Sequence, residues 1–136
     1  MLCDLEDNLM EPSHHPLMIL VAGPYRSGTN DDPARIAANL QAMYEASLEV
    51  WQRGHLPVTG EALALPLVQL AGSTSVGDAP FNAIFHPIGR LLAQRCDAVL
   101  RIGGPSQGAD EMVTILQSFG RPVYFHIDEI PSIQPS

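Results

Sequence analysis

Six consecutive apolar residues, Leu17-Met-Ile-Leu-Val-Ala22, stand between Pro16 and Gly23. The run is too short for a typical helix and lacks the apolar–polar alternation of a half-exposed strand. It is the pattern of a strand covered on both faces, which is the habit of parallel sheets held between layers of helix. A chain that begins its folded part this way needs helices for both faces, and the remaining sequence supplies them.

Asp32-Pro33 offers an N-cap followed by proline at the first helical position. Ile36, Leu40, Met43, Ser47 and Val50 then share one helical face, and Gly54 closes it. His55–Thr59 reads as a second strand, placed at an edge by Pro57. Glu61–Leu70 reads as a short helix disturbed by Pro66. Ala71–Pro80, rich in Gly, Ser and Thr, is expected to be a mobile loop serving as a lid. Pro87 and Gly89 are expected to confine the next helix to Ile88–Arg95. Ala98–Ile102 is the third strand. Met112, Ile115, Leu116 and Phe119 form the buried stripe of a helix closed by Gly120, and Pro122–Phe125 is the fourth strand. The order β-α-β-(loop)-α-β-α-β predicts an α/β fold. It is expected to be a single-domain, Rossmann-like three-layer sandwich with a parallel sheet of four or five strands. The domain spans residues 17–127, between a mobile acidic tail (1–16) and a short C-terminal tail (128–136).

At 136 residues the chain fits one domain. All seven basic residues are arginines, and a net charge of -8 argues against nucleic acid as a partner. A small phosphorylated ligand needs only one or two arginines and some free N–H groups. No run reaches a membrane span, no secretory signal is evident in the first sixteen residues, and Cys3 and Cys96 form no disulfide or zinc pattern. These features point to a cytoplasmic protein without a metal. His14-His15 lacks a third ligand nearby, so solvation is expected there.

Two glycine-bearing turns follow strands that parallel pairing brings side by side. The first, Gly23-Pro-Tyr-Arg-Ser-Gly28, offers Gly23, Pro24, Tyr25 and Arg26. The second, after Ile102, offers Ser106, Gly108 and Glu111. Such turns open onto the crevice beyond the strands' carboxyl ends, where open α/β sheets bind ligands. An anionic group would sit on Arg26 and the helix N-terminus. Glu111 lies in a helix's first turn, and a carboxylate is what attack on a sugar carbon requires. Neither a phosphate loop nor a dinucleotide fingerprint is present, so no cofactor is expected. Asp97 reads as a turn residue, and His55, His86 and His126 as structural or surface histidines. Glu61 lies at the lip of the expected lid.

On Val21–Gly28, Gly54–Pro57, and Cys96–Leu100 continuing into Ser106–Glu111, the chain resembles the nucleoside 2-deoxyribosyltransferase-like superfamily. The resemblance covers about Leu17–Phe125. It implies a flavodoxin-like sheet, cleavage or transfer at an N-glycosidic bond by a helix-borne glutamate, and a homodimer or larger homo-oligomer. It also implies a 5′-phosphate held by the two turns, with Arg26 and Ser106 at the matching positions. By this resemblance Glu111 is the nucleophile, and Gly23, Pro24, Tyr25, Arg26, Ser106 and Gly108 bind a small nucleoside or nucleotide. The chain departs from the family twice. Glu111 stands three residues after Gly108, where the family has its glutamate at four, the place of Met112. Gly89 stands where the family has an aspartate, so the proton-handling partner is missing or falls to another residue such as Glu61 or Asp110. Two other readings are a non-catalytic nucleotide-binding module and, last, a phosphoribohydrolase of the lysine-decarboxylase-like type.

Overall fold

The computed structural model describes residues 15–133. The acidic segment before His15, with Cys3 and His14, lies outside the described residues. The elements are β1 (Met18–Ala22), α1 (Pro33–Gln52), β2 (Leu56–Val58), α2 (Gly60–Leu70), α3 (Ala79–Arg95), β3 (Ala98–Arg101), α4 (Gln107–Ser118) and β4 (Val123–Tyr124), followed by a 3-10 turn at Ile127–Glu129. All strand pairs are parallel, in the order β2-β1-β3-β4. The described residues therefore form an α/β fold with one four-stranded parallel sheet and four α-helices, a flavodoxin- or Rossmann-like sandwich.

Alternation along the central strands sorts the core into two layers. Ile19 and Val21 of β1 join Ala98 and Leu100 of β3 under Met43 and Val50 of α1. Leu20, Ala22 and Val99 meet Ala93 of α3 and Ala109 and Leu116 of α4 on the other face. Both strands bury their side chains on both faces, as the uninterrupted apolar run requires. β2 lies at an edge, where Pro57 removes a donor the sheet does not need. The α1 cap forms as read, with Asp32 accepting from the Ala34 N–H, and the face at Ile36, Met43 and Val50 is buried.

Three local expectations are corrected. α3 does not begin at Ile88; it runs unbroken from Ala79 through Pro87 and Gly89 to Arg95. Pro87 removes only the hydrogen bond to the carbonyl one turn back, at Ala83. Both residues are exposed, so water replaces the lost donor, while buried Phe81 and Ala93 anchor the helix on either side. Pro66 is tolerated inside α2 in the same exposed setting, behind a Thr59 cap. Phe119 does not complete the α4 stripe: it is exposed and lies under the Arg121 guanidinium, 4.6 Å from its ring centroid.

The segment between α2 and α3 is wound around Asp78. That carboxylate accepts from Ser73 Oγ at 2.8 Å and from the N–H groups of Thr74 (2.9 Å), Ser75 (3.2 Å) and Phe81 (3.1 Å). These donors, the Thr74 N–H foremost, hold its pKa down at about 2. After β4 the chain returns to the α1 face. Ile130 is 1 % exposed within the core, and the Ile133 N–H donates to the Arg53 carbonyl at 2.7 Å. Buried His55 ties this return to β1: its Nδ1 accepts from the Leu17 N–H at 3.0 Å, and its Nε2 donates to the Pro131 carbonyl at 2.6 Å.

Candidate functional site

The strand order determines where a crevice can open. β1 and β3 are neighbours, but the chain leaves them toward opposite faces, β1 into α1 and β3 into α4. That divergence parts the two turns at the carboxyl edge, the switch point at which such sheets bind ligands. A crevice of about 130 Å³ lies there, lined by Gly23, Tyr25, Arg26, Ser106, Gly108 and Glu111 from the two turns. Its other wall is α3, through Phe81, Phe85, His86 and Gly89, and Glu61 of α2 also lines it. The volume falls below the roughly 300 Å³ at which pockets for drug-sized ligands begin.

Of the residues expected at the site, six line the crevice and Pro24 does not. Pro24 turns to the opposite side of the first turn, into a groove with Asn39, Met43, Ile102 and Gly103. There it packs closely on Gly103, at φ +77°, where a β-carbon would come 2.7 Å from Pro24 Cδ. The turn is held by Asn39, whose Nδ2 donates to the Tyr25 carbonyl at 3.0 Å.

Arg26 reaches the crevice already paired. Its Nε and Nη2 donate to the two oxygens of Asp31, each at 3.0 Å. Asp31 and Asn30 adopt positive φ (57° and 52°), a conformation these two side chains tolerate better than most, and the turn so formed aims Asp31 back at Arg26. The Gly77 backbone lies against the guanidinium; a β-carbon at Gly77 would come within 2.6 Å of Nη1. The loop before α3 thus meets the crevice at Arg26.

Ser106 is the buried N-cap of α4, its Oγ accepting from the Ala109 N–H at 3.2 Å. The N–H groups of Gln107 and Gly108, in the first turn, have no intrahelical acceptor and are available to an anionic or polar ligand group. Glu111 stands at the rim. Its side chain is 43 % exposed, and Oε1 accepts from Arg90 Nε at 2.5 Å. Met112, the residue in family register, also lines the crevice. Asp110 points elsewhere, toward Arg101, whose Nε donates to it at 3.0 Å. Asp97 serves the opposite end of the sheet by accepting from the Met18 N–H at 2.9 Å.

Of the two candidate proton-handling carboxylates, then, only Glu61 lines the crevice. It is 9 % exposed and has no cation against it among the described residues. Burial pushes its pKa from the ordinary 4.5 up to about 7, against a smaller opposing effect of its own backbone N–H. Tyr25 beside it is also raised, first by burial and then by the Glu61 charge.

The aromatic wall was not evident from the sequence. Tyr25 stacks on Phe85 (centroids 5.3 Å apart, planes 28° apart), Phe85 stacks on Phe81 (4.6 Å, 16°), and His86 meets both phenylalanines edge-on. Phe81 and Phe85 stand one helical turn apart, a spacing visible in the sequence but masked by beginning the helix only after Pro87. Among the described residues no group of three or more His, Cys, Asp or Glu side chains is arranged to hold a metal, and no helix is long and apolar enough to cross a membrane.

No family model matches this chain, and no curated protein or solved structure is significantly similar to it.

Proposed function

We propose that the chain binds a nucleoside or nucleotide in the crevice between β1 and β3 and cleaves or transfers its N-glycosidic bond, with Glu111 as nucleophile. The observation that carries this reading is the convergence of Tyr25, Ser106, Gly108 and Glu111 on one aromatic-walled crevice at the switch point of the sheet. The stacked rings suit a flat base. The first-turn N–H groups of α4 suit a phosphate or a sugar hydroxyl. A carboxylate at the rim suits attack on the anomeric carbon, forming a glycosyl ester that water or a second base then resolves. For this the carboxylate must exchange Arg90 for the sugar, a modest cost for so exposed a pair. Arg26 retains Nη1 for a 5′-phosphate while Asp31 holds its other nitrogens. The homo-oligomer implied by the resemblance belongs to the same proposal. Tyr44, Leu48 and Trp51, exposed along α1, offer it apolar surface.

Incubation with ribo- and deoxyribonucleosides and their 5′-monophosphates, with free base read by chromatography, tests the activity. Base release by wild type that falls to background in Glu111→Ala is expected. Absence of release across the panel, or Glu111→Ala equal to wild type, refutes it. Two observations favour a non-catalytic nucleotide-binding module instead: Glu111 is engaged by Arg90, and Gly89 stands where the resembling family has an aspartate. That reading expects thermal stabilisation by nucleotides without turnover, abolished by Arg26→Ala.

A further inference from the structure

Glu61 is a buried acid that no ion pair explains. It lies between the crevice and a second groove on the α2 side, and Tyr25 and Phe81 line both spaces with it. The ionisable groups lining the crevice are Tyr25 and Arg26 from the first turn, His86 from α3 and Glu111 from α4; Tyr44 of α1 faces the groove. Arg26 is engaged by Asp31 and Glu111 by Arg90, so neither arginine neutralises Glu61. Burial disfavours the charge of a carboxyl so placed, and in its neutral form it has a proton to donate. A ligand entering the crevice meets that carboxyl beside three stacked rings.

We infer that Glu61 is the ligand-reading residue of the crevice, donating a hydrogen bond from its protonated carboxyl to a ring-nitrogen lone pair of a flat heteroaromatic base lodged against Tyr25 and Phe85. The inference takes the crevice as the ligand site from the reading above and does not depend on turnover. Selectivity follows from the unpaired alternative. A ring with C–H in place of the nitrogen leaves a buried donor without an acceptor, and a site built around one polar group rejects such analogues strongly. The ionised carboxylate would face the lone pair with like charge, so binding weakens as pH rises through about 7. A ligand that instead donated to Glu61, or carried positive charge, would bind better as the pH rose.

The test is calorimetric binding of free adenine, 3-deazaadenine and 7-deazaadenine to the full chain between pH 6 and pH 8. If only the protonated form binds, wild-type affinity for adenine falls about tenfold over that range. Glu61→Gln, whose amide donates at every pH, binds adenine with a flat profile. One of the two deaza analogues binds more weakly than adenine to both proteins. His86→Gln, whatever its affinity, keeps the wild-type slope, which separates the carboxyl from the neighbouring imidazole. No adenine binding, a flat or rising wild-type profile, or an unchanged slope in Glu61→Gln each overturns the inference. Base release failing while pH-dependent binding persists would sink only the glycosidase reading; base release with pH-independent binding would sink only this one.

Discussion

Replacing Glu61 by glutamine removes an ionisable group from a buried site while keeping its size and one donor, and the consequence for stability can be worked from the structure. Burial raises the folded-state pKa to about 7 from the ordinary 4.5. Between those values the unfolded chain gives up its proton and the folded chain keeps it. Stability therefore falls as pH rises through this window, and the penalty is absent below about pH 4.5 and complete above about pH 7. Each pKa unit corresponds to about 1.4 kcal/mol. The full penalty is then about 3 kcal/mol, a sizeable part of the 5–15 kcal/mol typical of a domain. Urea unfolding of wild type and Glu61→Gln at pH values from 4 to 9 reads it directly. The difference in unfolding free energy is expected to grow in favour of the variant from pH 4.5 to pH 7, then level off. Comparing the two proteins cancels every other titrating group, so only the pH-dependent part of the difference counts. A constant difference would refute the reasoning, because it would mean the carboxyl is solvated and its neighbours impose no cost on its charge.

Two further changes test the frame that holds the crevice. His55→Ala removes a buried ring and strips acceptor and donor from the part-buried Leu17 N–H and the Pro131 carbonyl, which should cost about 2–4 kcal/mol in urea unfolding. It should also speed hydrogen exchange at the Ile133 amide, whose bond to Arg53 depends on the docked C-terminal segment; unchanged exchange would show that Ile130 alone holds it. Gly103→Ala forces a β-carbon to 2.7 Å from Pro24 Cδ at a backbone φ of +77°. The left-handed conformation alone costs about 1–2 kcal/mol and the clash adds to it, so urea unfolding should show at least about 2 kcal/mol of destabilisation. A neutral effect would mean that the two turns slide apart freely.

Much of the fold was legible because its signals are local. The apolar run at Leu17–Ala22, the Asp32-Pro33 helix start and the glycines after β1 and β3 each act over a few residues. Together they allow hardly any arrangement but parallel strands with alternating helices. The same locality misled at Pro87. A proline is a helix breaker only where its missing donor matters, and whether Ala83 faces water is a property of the folded surface. Phe119 failed for the converse reason: its spacing is helical, but α4 ends at Ser118 and the ring leaves the core stripe.

The candidate site divides in the same way. The sequence by itself determined that two glycine turns follow neighbouring strands, and hence that Tyr25, Arg26, Ser106, Gly108 and Glu111 come near one crevice. The alternation of strands and helices made β1 and β3 expected neighbours, so the approach of the two turns was legible before the strand order was known. Only the tertiary structure decided what occupies that frame. It turned Pro24 away, tied Arg26 to Asp31 and Glu111 to Arg90, and brought Phe81, Phe85 and His86 across from α3. It also separated two carboxylates that look alike in the sequence, leaving Asp110 exposed on Arg101 and burying Glu61 with no ion-pair partner among the described residues. Burial and the absence of a counter-charge are sums over residues far apart in the chain. No local pattern carries them, and they are what set Glu61 apart from the other carboxylates near this crevice.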